Sequence, residues 1–170
     1  MVYILSMKKA TLVLIIFLII SVCSIDVAAP RAPNFFLFNV DGNPVILDSL
    51  LSIGPVVICM WALWCKMSIK EIDALNVYYE EFRDMGLHVL AISQDRERSI
   101  PYVKPFVIEH GWRYIVVLDP DHIIRELYNV QAIPTTYIIE QDGSIVVTHL
   151  GYKPGDEVTI VDTLRYLFGY

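Results

Sequence analysis

A six-residue apolar run followed at once by an amphipathic stretch constrains the fold more than any other feature of this 170-residue chain. The run, Val56–Trp61, reads VVICMW and contains no charged residue. A continuous apolar segment of this length is typical of a strand buried on both faces. We therefore predict an α/β fold in which this strand lies in the middle of a sheet.

The stretch after this strand predicts a long helix from about Cys65 to Met85, which Gly86 ends. Apolar residues recur along it at helical spacing, at Ile69, Ile72, Leu75, Tyr79 and Phe82. That spacing gives the helix one buried face. Functional sites of open α/β sheets lie at the carboxyl ends of the strands. The junction between strand and helix, where Cys65 stands, is therefore the expected functional site.

The rest of the chain alternates predicted strands and helices. A hairpin through Asp41-Gly42-Asn43 and a short helix capped by Asp48 precede the first buried strand. Later elements are predicted at 87–93, 101–110, 115–118, 122–128, 135–140, 144–149 and 156–168. We expect one domain, residues 30–170, with a mixed central β-sheet flanked by helices and an N-terminal β-hairpin extension.

The first 29 residues resemble an export signal in composition. Lys8 and Lys9 precede an apolar run that ends at Val22 and is too short to span a bilayer comfortably. Small residues suggest cleavage after Ala29, although Pro30 follows, or near Cys23. We expect residues 1–29 to be a signal peptide or an N-terminal membrane anchor. The domain would then be periplasmic or otherwise exported, and would meet the membrane only through this segment.

Charge and cysteine content narrow the classes of function. The net charge of −6, with no basic cluster, disfavours nucleic acid as a partner. The four histidines show no metal-ligand spacing with the cysteines, so no metal or cofactor is predicted. Cys23 lies in the leader, where it would be removed or lipidated. Cys59 and Cys65 are too few for a disulfide scaffold and indicate redox chemistry. We also expect the domain to be a monomer.

Cys65 is the candidate nucleophile. Unpaired backbone N–H groups and the positive end of the dipole at a helix N-terminus favour a thiolate over a thiol. Lys66 adds a positive charge nearby, and Trp64 offers a flat apolar surface beside the sulfur. The alternative is an inert cysteine at the end of a strand.

The residues around this cysteine resemble a family motif. Trp61-Ala62-x-Trp64-Cys65-x-x-Ser68-x-x-Glu71 is similar to the WAxWCxxCxxE motif of the TlpA/ResA-like thiol–disulfide oxidoreductases, a branch of the thioredoxin superfamily. Further matches follow in the family's order at Val117-Leu118-Asp119, Tyr128-x-Val130, Ile133-Pro134-Thr135-Thr136 and Asp142-Gly143. The resemblance covers about residues 33–168 and implies a thioredoxin-like fold. It departs from the family at Ser68, which stands where the second cysteine is expected.

This resemblance implies a role for each residue of the catalytic pair. The family's first cysteine attacks a substrate disulfide and the second resolves the mixed disulfide. Cys65 matches the first position and Ser68 the second, but a hydroxyl does not form a disulfide. Ser68 either donates a hydrogen bond to the Cys65 thiolate or satisfies local backbone at the helix start.

The resemblance implies roles for four more residues. Pro134 matches the family's cis-proline, beside which the backbone of Ile133 would pair with an extended substrate. Glu71 matches a glutamate that tunes cysteine ionisation, and the alternative is a solvated helix residue. Cys59 stands where thioredoxin has a buried aspartate, and is either a core residue or an auxiliary resolving thiol.

Two classes of function follow. One is an exported oxidoreductase that uses Cys65 alone, with protein disulfides or thiols as substrates and an external thiol as reductant. The other is a catalytically impaired binding module that recognises extended or cysteine-containing protein segments. Peroxidase chemistry is disfavoured because Ala62 replaces the threonine found three residues before a peroxiredoxin's cysteine.

Overall fold

The structure, a computed structural model, describes residues 29–170. The predicted signal or anchor, with Cys23, therefore lies outside the described residues except for Ala29. Within residues 29–170, no helix combines the length and apolar character needed to cross a bilayer.

Seven strands form one mixed sheet. In chain order they are β1 (Phe36–Asn39), β2 (Pro44–Ile46), β3 (Val56–Trp61), β4 (His88–Ser93), β5 (Ile115–Leu118), β6 (Thr135–Ile139) and β7 (Ile145–Leu150). Their order across the sheet is β2-β1-β5-β4-β3-β6-β7. Strands β3, β4 and β5 are parallel, and the hairpin β1–β2 joins antiparallel to β5. The predicted mixed sheet with an N-terminal hairpin is confirmed.

Within residues 29–170, five helices flank the sheet. They are α1 (Leu47–Leu51), α2 (Lys66–Arg83), α3 (Ile100–His110), α4 (Ile123–Leu127) and α5 (Asp156–Leu167). The expected cap of α1 is wrong, because Ile46 is its N-cap and no side chain caps it. Strand β2 passes into α1 without a loop, so Asp48 lies inside the first turn, where its charge still faces the positive end of the helix.

The sheet separates two apolar clusters. All six residues of β3 are buried, and their side chains alternate between the two faces. Val57, Cys59 and Trp61 pack on the face covered by α2, α3 and α5. The intervening residues pack on the face covered by α1, α4 and the N-terminal hairpin. Packing on both faces thus fixes strand β3, and with it the position of Ala62, the residue that begins the turn toward Cys65.

Candidate active site

A tight turn carries the chain from the end of β3 to Cys65, the N-cap of α2. The N–H of Cys65 donates to the Ala62 carbonyl at 2.9 Å, and the Cys65 carbonyl accepts the N–H of Ile69 at 3.2 Å to begin the helix. Cys65 is half-buried, whereas the neighbouring Trp64 is 67% exposed. The thiol therefore reaches the surface at the N-terminal end of α2, as predicted.

The Cys65 thiol faces the loop before β6. It donates to the carbonyl oxygen of Ile133, with 3.7 Å between Sγ and the oxygen. The Ile133–Pro134 peptide bond is cis. Residues so distant in sequence meet because β6 pairs antiparallel with β3, with Thr135 opposite Met60. The structure thus brings together Cys65, Ile133 and Pro134, three of the predicted site residues.

Ser68 is buried and bonded to backbone on both sides. Its hydroxyl donates to the Cys65 carbonyl at 2.8 Å and accepts the N–H of Ala62 at 3.4 Å. Two roles were predicted for Ser68, and in the structure it satisfies the local backbone. Its hydroxyl proton goes to the Cys65 carbonyl and not to the sulfur. Ser68 thereby joins the first turn of α2 to the end of β3.

The carboxyl group of Glu71 lies in the interior, with no exposed surface. Its Oε1 accepts the hydroxyl hydrogen of Thr136 at 3.0 Å, and among the described residues Oε2 has no hydrogen-bond partner. The solvated alternative for Glu71 is therefore wrong, because residue 71 lies on the inward face of α2 beside Ile72. Burial raises the pKa of Glu71 to about 7, against the hydrogen bond from Thr136, and the charges of Asp156 and Glu157 raise it further.

Cys59 lies on the same face of the sheet, below the surface. It is a free thiol with 1% of its surface exposed, and its partner in the β3–β6 ladder is Thr136. Burial raises the pKa of the Cys59 thiol, and the charge of Glu71 raises it further, while a hydrogen bond to Thr136 opposes both. The core interpretation of Cys59 fits this environment, since both features disfavour a thiolate.

Asp95 was not among the predicted site residues, yet it contacts the active-site turn. It is 2% exposed, and its Oδ2 accepts the backbone N–H of Leu63 at 2.9 Å and the hydroxyl of Ser93 at 3.0 Å. The signal in the sequence was an acidic residue two positions after a buried strand, in Ser93-Gln94-Asp95.

Comparison with known proteins agrees with this geometry. The model of the AhpC/TSA family matches residues 29–148. Thiol-disulfide oxidoreductase ResA of Bacillus thuringiensis (strain Al Hakam) is 31% identical over 128 residues, which cover 75% of this chain and 72% of that protein. ResA of Bacillus subtilis (strain 168) is 30% identical over 115 residues, covering 68% of this chain and 63% of that protein.

A solved structure extends the likeness to the fold. A putative thiol:disulfide interchange protein DsbE from Chlorobium tepidum superposes with a TM-score of 0.75 at 22% identity, covering 84% of this chain and 98% of that one. The expected thioredoxin-like fold is confirmed. The family match and the curated relatives show that the chain belongs to the AhpC/TSA family and, within it, to the thiol–disulfide oxidoreductases of the ResA type.

Proposed function

We propose that this protein is an exported thiol–disulfide oxidoreductase that acts through one nucleophile, Cys65. Its family membership supports the chemistry. The observation that carries the single-cysteine mechanism is the state of residue 68. The position of the resolving cysteine holds a buried serine, whose hydroxyl is already bonded to the Cys65 carbonyl.

The reaction has three exchange steps. In the first, the Cys65 thiolate attacks one sulfur of a substrate disulfide, which forms a mixed disulfide while the second substrate sulfur leaves as a thiolate. In the next step an external thiolate attacks the substrate sulfur of the mixed disulfide, which returns the electron pair to Cys65. A further external thiol completes reduction of the substrate and leaves as a disulfide with the first. No step requires a second cysteine in this chain.

Surface residues around Cys65 support an extended protein substrate. Trp64 and Met67 are exposed apolar side chains that flank the cysteine in sequence, and the Ile133 carbonyl lies across from its sulfur. An extended segment that bonds to the Ile133 backbone would place its own sulfur beside Cys65, with apolar neighbours against Trp64. Pro134, buried beneath this surface, would fix the backbone that the substrate contacts.

Glu71 is proposed to tune the nucleophile from the interior. Its pKa of about 7, raised chiefly by burial, lets the carboxyl gain or lose a proton near neutral pH. The glutamate at the matching position of the resembling motif tunes the cysteine, and on that basis the charge state of Glu71 would adjust the reactivity of Cys65. Cys59 has no role in turnover under this proposal.

Residues 1–29 would direct the domain, residues 30–170, out of the cytoplasm as a signal peptide or membrane anchor. The two lysines and the apolar run of that segment support this assignment. The proposed enzyme acts as a monomer on protein disulfides or thiols, in the periplasm or beyond, with a thiol reductant supplied from outside.

The buried, bonded state of Ser68 also favours a second candidate, the binding module. In that case the surface around Cys65 and the Ile133 backbone holds cysteine-containing or extended segments without turnover. The two functions differ in whether Cys65 forms a covalent intermediate.

A disulfide-labelling experiment separates the candidates. The domain is incubated with a protein disulfide such as insulin, with and without glutathione, and adducts are mapped by mass spectrometry. The enzyme predicts a mixed disulfide on Cys65 and insulin reduction that requires glutathione. Cys59→Ala should retain both results, whereas Cys65→Ser should lose both. Binding of insulin chains with no adduct on Cys65 would establish the binding module instead.

A further inference from the structure

In the turn that presents Cys65, the backbone N–H of Leu63 bonds to neither β3 nor α2. In this turn the Ala62 carbonyl accepts the N–H of Cys65 at 2.9 Å, and the Ala62 N–H donates to the Ser68 hydroxyl at 3.4 Å. The N–H of Leu63 donates instead to Oδ2 of Asp95 at 2.9 Å. The contact from Asp95 is the bond that ties the middle of the turn to a different part of the sheet.

Asp95 is itself held in place at the end of β4. It is the second residue after this strand, and its N–H donates back to the Ser93 hydroxyl at 3.2 Å while that hydroxyl donates to Oδ2 at 3.0 Å. The intervening Gln94 N–H donates to the carbonyl of Trp61, the last residue of β3, at 2.7 Å. The pairing of β3 with β4 therefore places residue 95, and the bonds from the Ser93 hydroxyl and the Leu63 N–H orient its carboxylate.

We propose that Asp95 is a positioning residue for the thiol–disulfide reaction. By holding the Leu63 N–H, it fixes the turn and hence the place of the Cys65 sulfur relative to the Ile133 carbonyl. This inference rests on the proposed function. Asp95 acts through the backbone of Leu63, which distinguishes it from a catalytic residue that touches the reacting atoms.

The expected effect follows from the geometry of sulfur exchange. Displacement of a reacting group by about 1 Å can cost on the order of 10²-fold in rate. A docked protein disulfide is sensitive to such a displacement because its sulfur is held by the Ile133 backbone. Iodoacetamide diffuses freely to the thiol and does not depend on that alignment. The ratio of the two rate constants therefore reports the position of Cys65.

The test compares Asp95→Ala and Asp95→Asn in the full protein. Asp95→Ala should lower the rate constant with insulin disulfides roughly 10- to 100-fold, while the rate constant with iodoacetamide changes less than about threefold. Asp95→Asn keeps an acceptor oxygen for Leu63 and should restore most of the insulin rate.

Asp119→Ala is the matched control. Asp119 is a second buried aspartate, but it bonds to the Gln94 side chain and the start of α4 and not to the turn. Its variant should lose stability, as Asp95→Ala does, yet keep the wild-type ratio of the two rate constants.

Three outcomes would overturn the positioning role: an unchanged ratio in Asp95→Ala, an Asp95→Asn variant as slow as Asp95→Ala, or an equal fall of the ratio in Asp119→Ala. If wild-type Cys65 reacts with iodoacetamide but never with a disulfide, the proposed function fails instead.

If Asp95→Ala does not fold, two other measurements still test the positioning role. Leu63→Pro removes the donor and keeps the carboxylate, at a turn position that proline favours, and it should show the same fall in the ratio. Amide hydrogen exchange in the wild-type protein needs no variant. The Leu63 N–H should exchange slowly, and exchange as fast as that of an exposed amide would overturn the proposal.

Discussion

Thr136 donates its hydroxyl hydrogen to the carboxyl group of Glu71 at 3.0 Å, in the interior between β6 and α2. The second carboxyl oxygen is buried, and no described residue bonds to it. One hydrogen bond does not compensate an ionised carboxylate for lost hydration, so the neutral form is favoured. This pair of residues makes the stability of the domain depend on pH in a defined direction.

Stability should fall as the pH rises from about 4.5 to about 7. Burial raises the pKa of Glu71 from 4.5 to about 7, so between these values the folded state binds more protons than the unfolded state. The free energy of unfolding then decreases with pH. Glu71→Gln cannot ionise and should be more stable than wild type at pH 8, by up to about 3 kcal/mol, and nearly equal at pH 4. Urea unfolding at both pH values measures the difference.

A surface glutamate supplies the control for that experiment. Glu109 is exposed on α3, so Glu109→Gln should leave the pH dependence of unfolding as in wild type. A Glu71→Gln variant whose stability falls with pH as steeply as that of wild type would contradict the assignment.

Cys65 and Cys59 should differ sharply in alkylation. In the folded protein iodoacetamide should modify the half-buried Cys65, and peptide mapping should find Cys59 unmodified. Cys59 is 1% exposed and its thiol pKa is raised by burial, so it reacts only when the core opens. We expect Cys65 to be alkylated at least roughly 10³-fold faster than Cys59. This difference should disappear in denaturant. Similar alkylation rates for Cys59 and Cys65 in the folded protein would contradict the burial of Cys59 on β3.

Ser68→Cys should create a disulfide with Cys65. The two positions are one helical turn apart, within the Cα separation that a disulfide spans. Oxidation should remove both thiols from titration with a thiol reagent, and insulin reduction should no longer depend on glutathione when a dithiol reductant is present.

Ser68→Ala separates the new thiol from the lost hydroxyl. It removes the bonds to Cys65 and Ala62 and should destabilise the domain by about 1–2 kcal/mol, while Cys65 alkylation persists. A Ser68→Cys protein that folds but neither oxidises nor turns over would show that the surface around Cys65 and Ile133 no longer supports disulfide exchange.

Mild oxidation of the wild-type domain should yield an intermolecular Cys65–Cys65 dimer. Cys59 points into the core from β3, between α2 and β6, whereas Cys65 lies beyond the strand at the surface. A bond between them requires Cα atoms within about 7 Å and Cβ atoms directed at each other. Non-reducing electrophoresis and peptide mapping detect either product. Recovery of a linked Cys59–Cys65 peptide would make this a dithiol enzyme and would contradict the single-cysteine mechanism.

Local patterns in the sequence were enough to predict the elements. The apolar run of β3 and the helical spacing of α2 gave their bounds within two residues, because uniform burial leaves a clear periodicity. Asp48 was misassigned since capping depends on the backbone at the junction with β2, where the strand passes into α1 with no loop.

These local patterns could not predict contacts between residues far apart in the sequence. Helical spacing could have placed Glu71 on the inward face of α2, beside Ile72, but its charge and the neighbouring Lys70 suggested solvent. Thr136, its donor, lies 65 residues further along the chain. Asp95 meets Leu63 across a separation of 32 residues, and only the pairing of β3 with β4 brings them together. Such interactions are set by strand order, which short motifs do not specify.

The pairing of β3 with β6 also has a consequence during translation. Cys65 leaves the ribosome 68 residues before Ile133, the residue whose carbonyl its sulfur meets. At about 5–20 residues per second, that interval lasts roughly 3 to 14 s. Until β6 is synthesised and pairs with β3, the nascent chain carries Cys65 without the Ile133 carbonyl opposite its sulfur. Under the proposed function, Cys65 can therefore select substrates only after the chain has been made as far as Ile139, the last residue of β6.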